Sequence, residues 1–164
     1  MKALVFSDSH GKLDNLIEVL KLHPDYEAIF HLGDLEEDDR HLRNLTPYPV
    51  YMVKGNCDYY SQSASSLTIQ WQGKRIAMCH GHRYIGYNDG VEPLRYFAEQ
   101  QKADIVLFGH THEPLLQELD GRTYLNPGSI SKPRQKGKIP TYSIMYSDGD
   151  GNITFEMCEF VEKD

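Results

Sequence analysis

Cysteine is scarce in this chain of 164 residues, and the absences narrow the reading before any motif does. Cys57, Cys79 and Cys158 are odd in number, widely spaced and form no C-x-x-C pair. That pattern argues against a disulfide framework and a thiolate zinc ribbon, and fits a reducing, cytoplasmic setting. No apolar run approaches the roughly 18 residues of a membrane-spanning helix. The N-terminal run, Ala3–Phe6, is too short for a signal peptide and meets Asp8 almost at once, so it reads as a first strand. Basic excess is missing too: 17 Lys and Arg stand against 24 Asp and Glu, a net charge of −7. Such a surface opposes broad binding to nucleic acid or to anionic membranes. There is no internal repeat and no low-complexity linker. The apolar fraction of 40% and charged fraction of 25% are those of an ordinary globular chain. The length suits one domain over 1–164 with a sizeable core.

What the chain does have is a recurrence. Five hydrophobic runs, Ala3–Phe6, Ala28–Phe30, Val50–Val53, Ile76–Met78 and Ile105–Phe108, each end in metal-ligand residue types. They deliver Asp8 with His10, Asp34, Asn56 with Asp58, His80 with His82, and His110 with His112. In an open α/β sheet, groups just past the carboxyl ends of strands converge on one crevice. The bland alternative is a set of polar residues capping strand ends; five clusters in succession favour a convergent metal site.

Strand-like runs alternate with helical patterns in the first half, the signal for βαβ units and a mainly parallel sheet. Helices are expected over about Lys12–Leu22, Glu36–Leu45 and Val91–Lys102, the first two ended by Pro24 and Pro47. Hairpins follow: Leu67–Trp71 with Lys74–Met78, Leu115–Leu119 with Thr123–Leu125, and Thr141–Tyr146 with Ile153–Phe160. The expected fold is α/β, two packed sheets with helices outside. Pro127–Lys138 is the longest stretch without periodicity.

Five of the eight histidines lie in H-x-H pairs or beside another ligand type. Histidine, carboxylate and amide oxygen form a borderline donor set suited to Mn, Fe, Zn, Co or Ni. Histidines separated by one residue fit two neighbouring ions, with a carboxylate bridging them; Asp34 is the candidate bridge.

Asp8-x-His10, Gly33-Asp34, Gly55-Asn56-Cys57-Asp58, His80-Gly81-His82 and Gly109-His110-Thr111-His112 together resemble the calcineurin-like metallophosphoesterase superfamily. More narrowly, the chain resembles its small single-domain bacterial and archaeal phosphodiesterase branch. Asn126-Pro127-Gly128-Ser129 also matches a late loop of that branch. The resemblance covers almost the whole chain and implies a four-layer αββα sandwich of two mixed sheets flanked by helices. Carried over by position, it places Asp8, His10, Asp34 and His112 on one divalent ion and Asp34, Asn56, His80 and His110 on a second. It implies Mn²⁺ as activator, with Fe, Zn, Ni and Co compatible with the donors. It further implies hydrolysis of a small phosphate ester, a diester rather than a monoester, by a metal-bridging hydroxide. Two divalent ions bring about four positive charges, and Asp8, Asp34 and the hydroxide remove about three, leaving a cationic centre on an acidic protein. A homo-oligomer fits the family, though no residue marks it. A non-catalytic interaction scaffold, the role of the small retromer subunit with a similar fold, is the rival from another class.

One departure stands out. Many superfamily members carry histidine after the Gly-Asn pair, where it protonates the leaving oxygen; this chain has Cys57. A thiol with a pKa of about 8.5 is a poor general acid at neutral pH. Activity is then slow or restricted to good leaving groups, or His82 supplies the proton; cysteine does occur here in the small branch. Cys57 otherwise reads as a small group beside the metals, and Asp58 as an orienter of ligands. His82 divides evenly between a substrate-side group and loop structure, and Arg134 between a phosphate-oxygen clamp and a solvated cation. Tyr59, Tyr60, Tyr84 and Tyr87 either line a cleft or simply pack. His23, His31 and His41 read as surface or core histidines, Cys79 and Cys158 as core.

Overall fold

Each strand of the sequence pattern points its side chains alternately to two faces, and both faces here are apolar. The first strand, β1 (Lys2–Phe6), shows the consequence. Ala3 and Val5 join one core cluster, and Leu4 and Phe6 another. A strand buried on both faces needs a layer on each side, and the computed structural model, which describes residues 1–162, supplies them.

The first sheet holds β1, β2 (Ala28–His31), β3 (Val50–Met52), β9 (Thr141–Ser147) and β10 (Ile153–Glu159) in the order β10-β9-β1-β2-β3. The second holds β4 (Ser66–Trp71), β5 (Lys74–Cys79), β6 (Ile105–Leu107), β7 (Pro114–Leu119) and β8 (Arg122–Pro127) in the order β4-β5-β6-β8-β7. Between the sheets lie Val5, Phe30, Leu32, Trp71, Met78, Leu107 and Met145. Outside the first sheet, α1 (Asp14–Leu22) and α2 (Asp39–Asn44) bury Leu16, Val19, Leu20 and Leu42 against Leu4, Phe6 and Ile29. Outside the second, a 3₁₀ turn (Glu92–Leu94) and α3 (Arg95–Gln100) bury Leu94, Phe97 and Ala98 against Ala77, Val106 and Tyr124. The architecture is the αββα sandwich expected from the sequence. Among the described residues no helix is long and apolar enough to cross a membrane.

The sheets are mixed, as the resemblance implied: β1-β2-β3 and β5-β6-β8 run parallel, while β9, β10, β4 and β7 add antiparallel pairs. One expectation changes. All three helices are shorter than their apolar spacing suggested. Asp38 caps α2 by accepting the Arg40 N–H (2.9 Å), so Glu36 and Glu37 stay in the preceding loop. Pro93, near the start of the 3₁₀ turn, delays the third helix to Arg95. Cys158 is only half-buried because β10 is an edge strand, whereas Cys79 is core.

Phe30 sits at the centre of the inter-sheet layer, 5.0 Å from the Tyr51 ring and edge-on to Trp71 at 5.9 Å. Phe30→Ala should destabilise the protein by about 3–5 kcal/mol, read from the urea unfolding midpoint. A change under about 1 kcal/mol would show that this layer is loosely packed.

Candidate metal centre

The carboxyl ends of the parallel strands of both sheets open at the same end of the sandwich, and the loops there are stitched together through their backbones. Asp8 N–H donates to Gly33 C=O (3.0 Å), His10 N–H to Asp34 C=O (2.9 Å), and Gly109 N–H to His80 C=O (2.9 Å). Asp8, His10, Asp34, Glu36, His110 and His112 all adopt left-handed backbone, with φ between 46° and 71°. Non-glycine residues there cost on the order of 1–3 kcal/mol each and persist only where the surroundings hold them. Loops must also approach closely: a Cβ on Gly109 would lie 2.0 Å from Ser7 Oγ, and one on Gly55 2.1 Å from Asp34 Oδ1. Only glycine fits either place.

Five predicted ligands converge. Asp8 Oδ1 lies 3.1 Å from His112 Nε2, 3.7 Å from His10 Nε2 and 3.9 Å from His80 Nε2. Asp34 Oδ2 lies 3.3 Å from His80 Nε2 and 3.8 Å from His10 Nε2. Asp8 with His10 and His112, and Asp8 with Asp34 and His80, each present ligand atoms within 4.8 Å of one another. His110 borders this group, its ring 5.3 Å from that of His80 and 6.2 Å from that of His82. Asn56 is exposed on the adjoining loop, its amide donating to Cys57 Sγ (3.4 Å).

Each imidazole is oriented from behind. His80 Nδ1 meets Leu32 C=O (2.8 Å), His112 Nδ1 meets Lys132 C=O (2.6 Å), and His10 Nδ1 meets the Glu36 carboxylate. Those acceptors require the proton on Nδ1, which leaves all three Nε2 lone pairs facing the centre. The carboxylates are held in the same way. Asp8 Oδ2 accepts the Ser7 hydroxyl (2.6 Å) and His110 N–H (3.1 Å), and Asp34 Oδ1 accepts Cys57 N–H (2.8 Å). Asp8 Oδ1 and His80 Nε2 are buried with no hydrogen-bond partner. His10 Nε2 and His112 Nε2 face each other at 3.1 Å. Inward lone pairs and a buried carboxylate oxygen at such spacing fit divalent cations, which supply the positive charge the chain does not.

The electrostatics agree. In the metal-free chain burial opposes ionisation of Asp8, but hydrogen bonds to His10 and His112 and the charge of protonated His80 hold its carboxyl far below the usual range, a proton on Nε2 then taking the place a cation would fill. Burial pushes the Cys57 thiol up to about 11, with Asp34 adding to the shift. His82 is shifted down by burial and by His80 and Arg83, and its Nδ1 lacks a partner.

The remaining expectations resolve unevenly. Asp58 orients backbone rather than an imidazole, accepting Glu36 N–H (2.8 Å) and Gly55 N–H (2.7 Å). The Arg134 guanidinium lies over the Tyr87 ring at 4.6 Å, and that ring stacks on His110 at 5.5 Å. Sequence reasoning passed over Glu36, although Asp34-x-Glu36 repeats the spacing of Asp8-x-His10. Within the aperiodic 127–138 loop it singled out only Arg134 and the Asn126–Ser129 family match, yet Ser129 and Ser131 hydroxyls donate to Asp8 C=O (2.7 and 3.1 Å) and Lys132 holds His112. Asn126 ties in Gly109 C=O and Thr111 Oγ1, both at 2.9 Å. His31 is a core histidine: Nδ1 accepts Gly33 N–H (3.3 Å) and Nε2 meets Ser9 Oγ (3.0 Å).

The family model of the calcineurin-like phosphoesterase superfamily domain matches residues 1–150. The chain belongs to that superfamily. It is therefore a metal-dependent phosphoester hydrolase by family, with the ligand clusters to match. It is 35% identical over 151 residues to the probable metallophosphoesterase YsnB of Bacillus subtilis, covering 92% of this chain and 86% of that one. Phosphodiesterase YfcE of Escherichia coli K12 is 28% identical over 174 residues, covering 90% and 89%. A Streptococcus pneumoniae protein described as a predicted phosphoesterase superposes with a TM-score of 0.81 at 31% identity, covering 96% and 88%. Vps29 of Entamoeba histolytica, complexed with zinc, superposes at 0.77 with 22% identity over 97% and 99%, a likeness of fold alone.

Two measurements test the centre. Glu36→Ala should weaken Mn²⁺ binding by about 10–100-fold in calorimetric titration, because His10 loses the group that fixes its ring; Glu36→Gln, which keeps an acceptor, should lose less. Unchanged affinity would remove Glu36 from the centre. Burial pushes the His31 imidazole down from 6.5 to about 4. Between those values the unfolded chain binds the extra proton, so this contribution to stability is complete above pH 6.5 and lost as pH falls towards 4. Unfolding free energy of the metal-free protein should fall in that window by up to about 1.4 kcal/mol per pH unit from this group. A His31→Gln variant with an equally steep fall would assign the slope elsewhere.

Proposed function

We propose that this protein is a dinuclear metal-dependent phosphodiesterase acting on small phosphate diesters. Asp8, His10, Asp34 and His112 would hold one divalent cation, and Asp34, Asn56, His80 and His110 the second, with Mn²⁺ as the activating ion. The observation that carries the reading is the convergence of Asp8, His10, Asp34, His80 and His112 on one buried space, with Asp8 Oδ1 and His80 Nε2 left unpartnered there. Asp34 Oδ2 lies 3.8 Å from His10 Nε2 and 3.3 Å from His80 Nε2, so Asp34 would be shared by the two cations. When bound, the cations supply polarisation of the phosphoryl oxygens and a hydroxide nucleophile at neutral pH.

The chain's own groups do the rest. Asp8, kept anionic by its neighbours, and the three tautomerically fixed imidazoles hold their positions without reorganising. Arg134, steadied on Tyr87 beside His110, presents N–H donors suited to a non-bridging phosphate oxygen. The leaving arm needs a proton. Cys57 holds its own tightly, at about 11, and His82 carries one less readily than a free imidazole. Proton delivery is then the weak step, and diesters with good leaving groups, such as p-nitrophenolate, are the favoured substrates. The name of the phosphodiesterase relative from E. coli supports the diester over the monoester.

With Mn²⁺ present, bis-p-nitrophenyl phosphate should be hydrolysed and p-nitrophenyl phosphate hydrolysed at least about tenfold more slowly; Asp34→Asn should lower the diester rate by about 10³-fold or more. Preference for the monoester would make the protein a phosphomonoesterase. Turnover of neither, with Mn²⁺, Zn²⁺, Fe²⁺, Co²⁺ or Ni²⁺, would favour the scaffold role.

A further inference from the structure

A cavity of about 780 Å³ opens beside the centre, between the loop leading into α2 and the loop after β3. Its inner end is formed by Glu36 and Cys57, whose acidic oxygen and sulfur lie within 4.8 Å of a His10 ring nitrogen and of each other. Cys57, at that end, also donates its N–H to Asp34 Oδ1 (2.8 Å), so the cleft adjoins the centre on the Asp34 side, and its volume is that of a small-molecule site. We infer that this cleft binds one arm of the diester, and that the arm is an uncharged planar ring bearing N–H donors, the chemistry of an amino-bearing nucleobase in a nucleoside. The inference rests on the diesterase reading and narrows it.

Three observations carry it. The first is the charge of the walls. Glu36, Glu37, Asp38, Asp39 and Asp58 line the cleft against Arg40 and Arg43. Arg40 pairs with Asp38 (2.7 Å) and Arg43 donates to Val50 C=O (2.8 Å), so five carboxylates stand against two guanidiniums. A second phosphate or a carboxylate in this space would meet net negative charge.

The second is the set of acceptors on the wall. Glu36, Glu37 and Asp38 are exposed there, and Asp39 Oδ2 is held by Ser61 Oγ–H (2.8 Å), Ser63 Oγ–H (2.7 Å) and Ser63 N–H (3.2 Å). Carboxylate oxygens only accept, so such a wall selects a ligand that donates.

The third is the pair of rings at the rim. Tyr59 and Tyr60 line the same cleft and are 84% and 96% exposed, so no described residue covers either ring. Consecutive tyrosines left in water beside an acidic slot give a planar group a surface to stack on. The net charge of −7 opposes a long polyanion, which restricts the arm to a single nucleoside rather than an extended strand.

The test uses the Mn²⁺-loaded protein and two diesters with the same leaving group, adenosine 5′-(p-nitrophenyl phosphate) and methyl p-nitrophenyl phosphate. The adenosyl ester should show a KM about tenfold or more below that of the methyl ester. The purine riboside analogue, which lacks the amino group, should fall between them. Tyr59→Ala/Tyr60→Ala should erase the adenosyl advantage and leave kcat/KM for the methyl ester within about twofold. Equal KM values, or a loss shared by both esters in the double variant, would overturn the assignment. Adenosine alone, titrated to millimolar concentration into ¹⁵N-labelled protein, should shift the amides of Tyr59, Tyr60, Ser61 and Ser63; no shift there would also overturn it. If no diester is turned over, the diesterase reading fails, and the adenosine titration still decides the cleft. A change of oligomeric state in the double variant with adenosine shifts absent would make the tyrosines a protein-docking surface instead.

Discussion

A carboxylate and three imidazoles face one another in a buried space with their acceptor atoms inward, and no lysine or arginine among the described residues pairs with them. That imbalance governs the open end of the sandwich. An unpaired buried polar atom costs about 1–3 kcal/mol, and Asp8 Oδ1 and His80 Nε2 are two such atoms within 3.9 Å of each other. The left-handed residues, the glycines that admit no Cβ and the backbone stitching between loops all serve to keep the donors there. Relaxing any of these would lower the energy of the metal-free chain and loosen the grip on a cation. A cation bound there would satisfy both atoms and so add to stability.

The holding groups are spread across the fold. Leu32 follows β2, Lys132 belongs to the loop after β8, and Glu36 precedes α2. Each satisfies one Nδ1 and so fixes which nitrogen faces inward. The two sheets thus contribute jointly: the first supplies Asp8, His10 and Asp34, the second His80, His110 and His112. Packing in the inter-sheet layer around Phe30 and Trp71 sets the distance between these halves.

The surroundings of the centre are asymmetric. On one side, Tyr87 lies between His110 and Arg134 and brings a cation to the rim. On the other, the slot between Glu36 and Ser63 is acidic and ringed by exposed tyrosines. A phosphate diester has the same lopsided character, an anionic core carrying two neutral arms. The positive side matches the core, and the acidic side matches an arm that donates hydrogen bonds.

Much of this was legible in the residues themselves. Apolar runs of three or four residues leading to Asp, Asn or His located the strands and their ligand-bearing ends, because strand burial and metal coordination both restrict residue type strongly. Gln72-Gly73 and Asp120-Gly121 marked their hairpins for a similar reason, since positive φ is needed there. Helix ends were not legible to the same degree: the capping bond of Asp38 and the placement of Pro93 outweighed apolar spacing that ran further. The chain alone thus determined the strand order of ligand types and the kind of ion they suit, since those depend on local composition. Only the tertiary structure decided that Glu36, rather than Asp58, backs His10, that an aperiodic loop clamps His112, and that an acidic cleft adjoins the centre. Those pairings join residues from different loops, and the sheet packing that brings the loops together has no local signature in the sequence.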